Sequence, residues 1–192
     1  ALKPALAEAA NLTVICPASV EDVAFSGSAA NVTFRRSGKP ETLSARLVVA
    51  ADGGTSPVRH KAGIEAWRTD YHQTALVTNV TPEQPHRHVA YERFTASGPL
   101  AFLPMSENRC AVVWSLSPQQ AEALLALDAA PFLAVLQQQF GTRLGRLLKA
   151  GKRAAYPLAL TTVSEHIRPR LVLIGNAAHT VHPVAGQGFN LG

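Results

Sequence analysis

The chain has 192 residues, enough for one large domain or two small ones. Apolar residues make up 47% of it and charged residues 16%, a balance that allows a buried core and excludes disorder along the whole chain. The net charge of +5 is spread over short basic groups without interleaved aromatic residues, so nucleic-acid binding has no support. We expect these basic residues to lie on a solvated face; binding to an anionic membrane surface or to an acidic cofactor is the alternative.

The first third of the chain predicts a helix end followed by several strands. Ser26-Gly27-Ser28 separates two alternating segments, Val20–Phe25 and Asn31–Arg36, which is typical of a hairpin. The run Leu47–Ala51 predicts a strand buried on both faces. The remaining predictions here are a helix over Leu2–Ala10 and a strand over Leu12–Cys16.

The middle of the chain predicts an antiparallel sheet and two helices. Turn residues divide the segment from Tyr71 to Trp114 into strands near 75–80, 88–95, 100–105 and 110–115. Ser117-Pro118 favours the start of a first helix, and Gly141 the end of a second that begins near Pro131. Two further strands are expected at Ala154–Val163 and Leu171–Ile174.

A first candidate site directly follows the buried strand, at Asp52-Gly53-Gly54-Thr55-Ser56-Pro57-Val58-Arg59. Gly53 allows a ligand to approach the backbone closely, and Asp52 can bind sugar hydroxyls or order the loop. Thr55 or Ser56 can cap the next helix, and Arg59 can bind a pyrophosphate or a nicotinamide phosphate. An ordinary strand–turn–helix joint is the alternative.

A second candidate site follows the last strand and runs from Gly175 to Asn190. Asn176 stands at the carboxyl end of a strand, where α/β folds bind ligands, and Ala177 permits close approach. Pro183 stiffens the loop, and the amides of Gly186 and Gly188 would stabilise negative charge on a flavin ring. A glycine-rich loop without a ligand is the alternative.

These two segments resemble the flavin motifs of the p-hydroxybenzoate hydroxylase-like flavoprotein monooxygenases. Asp52 to Arg59 is similar to the family's Asp-Gly motif, and Gly175 to Pro183 is similar to its second flavin motif. That motif normally has Gly-Asp where this chain has Gly175-Asn176; asparagine keeps an acceptor and loses the charge. Further stretches resemble the members of the family that act in ubiquinone biosynthesis. The family's first motif, Gly-x-Gly-x-x-Gly, is absent from the chain.

The resemblance implies an α/β fold with an α+β insertion. A partial Rossmann-like FAD-binding domain would comprise residues 1–66 and 166–192, and an inserted, mostly antiparallel substrate domain residues 67–165. The residues expected to bind FAD are Asp52, Gly53, Arg59, Asn176, Ala177, Pro183, Gly186, Gln187, Gly188, Phe189 and Asn190.

The resemblance also implies an activity: hydroxylation of a polyprenylated phenol with FAD, NADPH and O₂. It assigns no catalytic side chain. The expected location is cytoplasmic, with peripheral contact at the inner face of the plasma membrane. A related reductase or halogenase is the alternative chemistry.

The ends of the chain suggest a piece of a longer protein. It starts without methionine and stops at Gly192 in a loop that leads towards a helix, so we expect both flanks to be missing. An isolated fragment of this kind would bind FAD poorly, lack activity and act as a non-catalytic, self-associating module.

The remaining polar and aromatic candidates carry weaker expectations. His86-Arg87-His88 is expected to form a solvated loop and no metal site, because no further ligands accompany it. His179 and His182 could orient a substrate or relay protons, but packing or hydrogen bonding is expected. Trp67 and Trp114 are expected in the core or at an interface; Tyr156 could lie near a substrate, but a position in a core strand is expected. The cysteines have no paired spacing, and no segment reaches the ~18 apolar residues of a membrane span.

Overall fold

The computed structural model describes residues 6, 8–183 and 188–191. The chain divides into two compact units. The first unit comprises Ala1–Trp67, Thr161–Thr180 and Phe189–Gly192, and the second comprises Arg68–Leu160 and Val181–Gly188. Among the described residues, no helix is both long and apolar enough to cross a membrane.

The first unit contains an antiparallel three-stranded sheet in the order β1-β2-β3. Strand β1 spans Ser19–Phe25, β2 Ala30–Arg36 and β3 Lys39–Ala45, and the predicted hairpin of β1 and β2 is confirmed. Strand β3 was not predicted, because its exposed sequence lacks apolar alternation.

A second small sheet of this unit joins chain segments that lie far apart in sequence. Strand β4 (Val48–Ala50) pairs in parallel with β12 (Leu171–Leu173), and β12 pairs with the short β11 (Ile167–Arg168). Both predicted strands are confirmed, but burial of β4 on both faces is wrong, since Ala50 is 3% exposed and Val49 50%.

The predicted strand at Leu12–Cys16 is also wrong, because these residues form no regular element. Leu12 and Val14 are 44% and 63% exposed. An apolar stretch becomes a strand only where a neighbouring strand takes up its backbone hydrogen bonds. No described strand pairs with this stretch.

The second unit is built on a six-stranded sheet in the order β10-β5-β8-β7-β6, with β9 alongside β5. Its strands are β5 (Ala66–Pro82), β6 (Tyr91–Thr95), β7 (Gly98–Pro104), β8 (Cys110–Leu116), β9 (Leu147–Ala150) and β10 (Ala154–Val163). The predicted antiparallel sheet is confirmed, with the bounds of β10 as expected. The short strand β9 was not predicted.

Two helices cover one face of this sheet. Helix α2 (Pro118–Ala126) begins at a capping box formed by Ser117 and Gln120, and α3 (Ala129–Phe140) ends at Gly141, whose φ is 88°. Both predicted helices are confirmed, and each ends or begins at a residue suited to that position. The core on this face consists of Leu76, Val80, Leu100, Phe102, Cys110, Val112, Trp114, Leu116, Ala121, Leu124, Phe132, Leu136, Phe140, Leu144 and Leu147.

The opposite face of the sheet is lined by the alternate residues of the same strands. Glu92, Ala101 and Val113 lie opposite one another across β6, β7 and β8. Leu103, on the same face, is 42% exposed. The sheet therefore presents one helix-covered face and one face with accessible apolar residues.

Of the three aromatic side chains singled out above, Trp114 lies in the core and Tyr156, expected in a core strand, does not; for Trp67 the interface stays a prediction. Trp114 is 3% exposed, whereas Trp67 and Tyr156 are 54% and 58% exposed. The two exposed residues lie in β5 and β10, where alternation alone does not identify the covered face.

Candidate functional site

The loop after β4 is organised around the carboxylate of Asp52. Its Oδ1 accepts a hydrogen bond from the Ser56 hydroxyl at 2.6 Å, and its Oδ2 accepts one from the Val58 amide at 2.9 Å. Ser56 is fully buried and accepts from the Arg59 amide at 3.1 Å, which caps helix α1 (Pro57–Lys61). Ser56, and not Thr55, is therefore the cap, and Asp52 orders the loop.

The glycines of this loop leave its backbone accessible. Gly53 has a φ of +89°, and a Cβ atom placed there would have no neighbour within 4 Å. A Cβ atom on Gly54 would lie 3.5 Å from Thr180 Cγ2 and 4.0 Å from the Asn176 carbonyl oxygen. The two loops at the ends of β4 and β12 are therefore neighbours, with open space beside Gly53.

The second loop begins as a tight turn at the end of β12. Gly175 has a φ of +57° and starts a 3₁₀ turn, Gly175–Ala177. The amides of Ala178 and His179 both donate to the Gly175 carbonyl. Asn176 is exposed whereas Ala177 is fully buried, so the turn presents the Asn176 side chain to the surroundings.

Arg59 joins these two loops. Its Nη1 donates to the Ala177 carbonyl at 2.8 Å and its Nη2 to the Gly54 carbonyl at 2.9 Å. The residue is only 7% exposed. These two bonds hold the loops together through backbone carbonyls; the predicted contact of Arg59 with a phosphate stays a prediction.

The structure thus brings together five of the predicted site residues within the first unit: Asp52, Gly53, Arg59, Asn176 and Ala177. Pro183 and Gly188 belong to the second unit, whereas Phe189 and Asn190 belong to the first. Gly188, Phe189 and Asn190 lie in the short helix α4 (Gly188–Leu191). Gly186 and Gln187 lie outside the described residues.

A pocket on the accessible face of the large sheet was not predicted residue by residue. Its volume is about 250 Å³, and it is lined by Ala90, Tyr91, Glu92, Ala101, Leu103, Val113 and Pro183. The alternation of β7 and β8 was the available signal, since it places Ala101, Leu103 and Val113 on one face. The lining is apolar apart from the Glu92 carboxylate, because the Tyr91 ring points to the other face and packs on Phe140.

A larger cleft of about 560 Å³ lies beside α1 in the first unit. It is lined by Thr55, Arg59, His60, Gly63, Ile64, Glu65, Ala66 and Trp67. Neither Gly53 nor the turn at Gly175 borders it, so we do not place the candidate site there.

The histidines take up specific contacts. The Nε2 of His182 lies 2.9 Å from Gln73 Oε1, and its ring meets Tyr71 edge to face at 5.3 Å. Burial lowers the pKa of His182. The buried Nε2 of His179 has no hydrogen-bond partner within the described part of the chain, which also contains no cluster of three metal-binding side chains.

The environment of His86 differs from the one expected. The His86-Arg87-His88 segment was expected to be a solvated loop, but His86 is only 6% exposed. Both of its ring nitrogens form hydrogen bonds with the backbone, and burial of the ring follows from these contacts.

The pair of loops at the ends of parallel strands is the arrangement by which α/β proteins bind nucleotides. The profile of the FAD binding domain family matches residues 2–192, and the chain belongs to this family. The predicted flavoprotein family is thereby confirmed.

Several relatives are more specific. The chain is 46% identical over 152 residues to the ubiquinone hydroxylase UbiL of Rhodospirillum rubrum, covering 79% of this chain and 35% of that protein. It is 39% identical over 154 residues to the 3-demethoxyubiquinol 3-hydroxylase of Escherichia coli, covering 79% and 39%. With the mouse ubiquinone biosynthesis monooxygenase COQ6 it shares 34% over 189 residues, covering 81% and 40%. The chain therefore spans 35% to 40% of the length of these relatives.

Solved structures confirm the predicted fold class. The flavin-dependent halogenase CmlS matches with a TM-score of 0.73 and 19% identity, covering 91% of this chain and 33% of the halogenase. The p-nitrophenol 4-monooxygenase PnpA of Pseudomonas putida matches with a TM-score of 0.70 and 20% identity, covering 89% and 44%.

Proposed function

We propose that the chain is the central part of an FAD- and NADPH-dependent aromatic hydroxylase that acts on a polyprenylated phenol in ubiquinone biosynthesis. The observation that carries the proposal is the Arg59 bridge, which joins two glycine-containing loops at the ends of parallel strands in an FAD-binding chain. The names of the relatives supply the substrate class.

The residues of the first unit fit a flavin nucleotide. The open backbone at Gly53, the exposed amide of Asn176 and the small Ala177 leave room for a ligand and supply polar contacts. We propose that these residues, with Asp52 and Arg59 holding the loops in place, form one part of the FAD site. Pro183, Gly186, Gln187, Gly188, Phe189 and Asn190 are proposed to complete it.

The chemistry that FAD would supply when bound is uptake of a hydride from NADPH and conversion of a ring C–H group to C–OH with one oxygen atom of O₂, the other leaving as water. The chain's own task is to bind and orient the phenol and to exclude water. The sheet pocket suits this task, because its lining is apolar with one polar side chain, Glu92.

The size of the pocket suggests how such a substrate would lie. Its volume of about 250 Å³ falls just below the ~300–1,000 Å³ typical of ligand sites. We infer that it receives the phenol ring while the polyprenyl tail extends outside it. A tail of that kind favours peripheral contact with the inner face of the plasma membrane by a cytoplasmic protein, and the net charge of +5 favours an anionic surface.

We also propose that residues 1–66 with 166–192, and residues 67–165, act as the FAD-binding and substrate-binding domains. The isolated 192-residue chain is expected to bind FAD poorly and to self-associate, because apolar residues in and beside β4, such as Val49 and Leu47, are exposed.

A halogenase or a reductase is the second candidate, favoured by the structural likeness to CmlS. Product analysis separates the candidates. The complete protein that contains this sequence is incubated with NADPH, ¹⁸O₂ and a prenylated phenol. Hydroxylation predicts one ¹⁸O atom in the phenolic product, whereas an unlabelled or halogenated product would overturn the proposal.

The flavin site is tested by two variants of Asn176 in the complete protein. Asn176→Asp keeps a side-chain acceptor and is expected to retain FAD, whereas Asn176→Leu removes it and should weaken FAD binding about tenfold. Titration of FAD absorbance measures both. A correctly folded, colourless wild-type protein, or equal affinities of the two variants, would contradict the site.

A further inference from the structure

Two loops at one end of the large sheet contact each other beside the sheet pocket. The β5–β6 loop, residues 83–90, leads directly into Ala90 and Tyr91, which line the pocket. The β7–β8 turn, residues 105–109, follows two residues after Leu103, another lining residue. His86 belongs to the β5–β6 loop, and its ring contacts the β7–β8 turn at Met105.

The two ring nitrogens of His86 have opposite roles. Nε2 lies 2.9 Å from the Met105 carbonyl oxygen, which can only accept, so Nε2 carries the proton. The amide of His88, which can only donate, donates to Nδ1 at 3.0 Å. The ring is therefore the neutral Nε2–H tautomer, with both nitrogens satisfied, and at 6% exposure it is shielded from water.

The two hydrogen bonds of the His86 ring join different parts of the chain. The Nδ1 bond closes the β5–β6 loop on itself, because His88 lies two residues further along the chain. The Nε2 bond crosses to the turn between β7 and β8. Asn108 adds a second crossing: its Oδ1 accepts from the His86 amide at 3.3 Å, and its Nδ2 donates to the Pro82 carbonyl at 3.3 Å.

The crossing contacts matter for the pocket because β6 is an edge strand. It pairs with β7 on one side, and the sheet order ends there. Tyr91 forms the first pair of the register, opposite Phe102. The start of β6 is therefore held by its pairing with β7, by the packing of the Tyr91 ring on Phe140 and by the loop that precedes it.

We propose that His86 is a positioning residue that sets the wall of the phenol pocket by clamping the β5–β6 loop to the Met105 carbonyl; this rests on the function proposed above. The ring does not line the pocket. It acts through Ala90 on one side of the clamp and Leu103 on the other, fixing the position of the loop end relative to β7 where the ring of a substrate would enter.

Two substitutions separate the crossing bond from the local one. In His86→Gln the side-chain amide nitrogen reaches the position of Nε2 and can still donate to Met105. In His86→Asn the side-chain oxygen takes the position of Nδ1 and keeps only the bond from the His88 amide. Both variants are made in the complete protein with FAD bound.

We expect the two variants to differ in the KM for the phenol and to share the same KM for NADPH. His86→Asn should raise the KM for 2-prenylphenol about fivefold, the effect of losing one neutral hydrogen bond, and leave the KM for NADPH unchanged. It should also lower the amount of hydroxylated product per NADPH oxidised. His86→Gln should restore both values to within about twofold of the wild type.

Hydrogen exchange gives a readout that does not depend on activity. Peptides covering residues 89–95 should take up deuterium about fivefold faster in His86→Asn than in His86→Gln or the wild type. If the wild-type protein hydroxylates its substrate but the two variants behave alike, the clamp is refuted and the hydroxylase function stands. If the wild type does not hydroxylate, the function fails, and the exchange rates alone decide the clamp.

Asn108→Gly provides a second test should His86→Asn not fold. Asn108 has a φ of 51°, which glycine adopts without strain, so the substitution removes the crossing bonds of the side chain and preserves the turn. Faster exchange at residues 89–95 and a raised KM for the phenol are expected. Because the Asn108 side chain accepts from the His86 amide, its loss loosens the same crossing from turn to loop. Unchanged values for both would show that the pocket wall does not depend on this crossing and would overturn the proposal.

Discussion

Different kinds of interaction stabilise the interior of each of the two units. The second unit has an extended apolar core between its sheet and helices α2 and α3. The first unit has a smaller apolar cluster, and its candidate FAD loops depend on hydrogen bonds among Asp52, Ser56 and Arg59. In one unit stability comes mainly from packing, and in the other the loop geometry comes from a few polar contacts.

This difference has a consequence for mutation. Loss of a core side chain in the second unit removes many small contacts and lowers global stability. Loss of one polar side chain in the first unit leaves buried partners unsatisfied and changes the shape of the loops. The first kind of substitution should affect folding and the second kind FAD affinity.

The largest effect is expected for Phe132→Ala in the core of the second unit. Phe132 is fully buried beneath the guanidinium of Arg153, whose carbon Cζ lies 4.8 Å from the ring centroid. The free energy of unfolding of the complete protein should fall by about 3–5 kcal/mol in denaturant titrations. Phe94→Ala, at a side chain 73% exposed, is the control and should change it little. Similar losses in both variants would contradict the difference between packed and exposed positions.

Compared with Phe132→Ala, Arg59→Met is expected to lower the free energy of unfolding less and the affinity for FAD more. Methionine keeps much of the length and removes both bonds to the Gly54 and Ala177 carbonyls. Stability should fall by about 2–3 kcal/mol and FAD affinity by about tenfold or more. Arg35→Met is the matched control, since Arg35 forms an exposed ion pair with Glu21. An unchanged FAD affinity in Arg59→Met would show that the bridge does not shape the site.

Each unit has a serine that caps a helix, so substituting the two serines allows a direct comparison of the units. Ser56 is fully buried and bonds both Asp52 and the Arg59 amide, whereas Ser117 caps α2 at an exposed position. Ser117→Ala should cost about 1 kcal/mol, the usual effect of a lost cap, and Ser56→Ala about 2 kcal/mol. Only Ser56→Ala should weaken FAD binding. Equal effects on FAD would remove the distinction between the units.

The smallest effect concerns His182 and pH. Burial lowers the pKa of His182 below its ordinary value of 6.5, so the folded state binds its proton less readily than the unfolded state. The contribution of this residue to stability is therefore present above about pH 6.5 and declines as the pH falls below it. His182→Gln should flatten the dependence of the free energy of unfolding between pH 7 and pH 5, measured by denaturant titration at each pH. An equally steep dependence in the variant would assign it to other groups.

Much of the fold was predictable where local sequence carries the structural cause. The Ser117 cap and Gly141 mark the helix ends, and alternation marks β8 and β10. Burial was less predictable, because it depends on which distant element covers a side chain. The half-exposed Val49 and the buried His86 both differ from expectation for this reason.

The candidate site was predictable as two loops but not as a network. The position of each loop after a strand is visible in the sequence, and parallel pairing of β4 with β12 brings them together. The partners of Arg59 were not predictable, since a guanidinium can donate to phosphate oxygens and to carbonyl oxygens alike, and the sequence does not show which of them is near. Its carbonyl partner at Ala177 lies 118 residues further along the chain.

That separation constrains the order of events during synthesis. At ~5–20 residues per second, the ribosome needs on the order of ten seconds to pass from Arg59 to Ala177. The hairpins of the large sheet pair residues close in sequence and can form in that interval. The Asp52 loop, by contrast, must wait for its partner to emerge from the exit tunnel, so the last part of the first unit to form is the one that we propose receives the flavin.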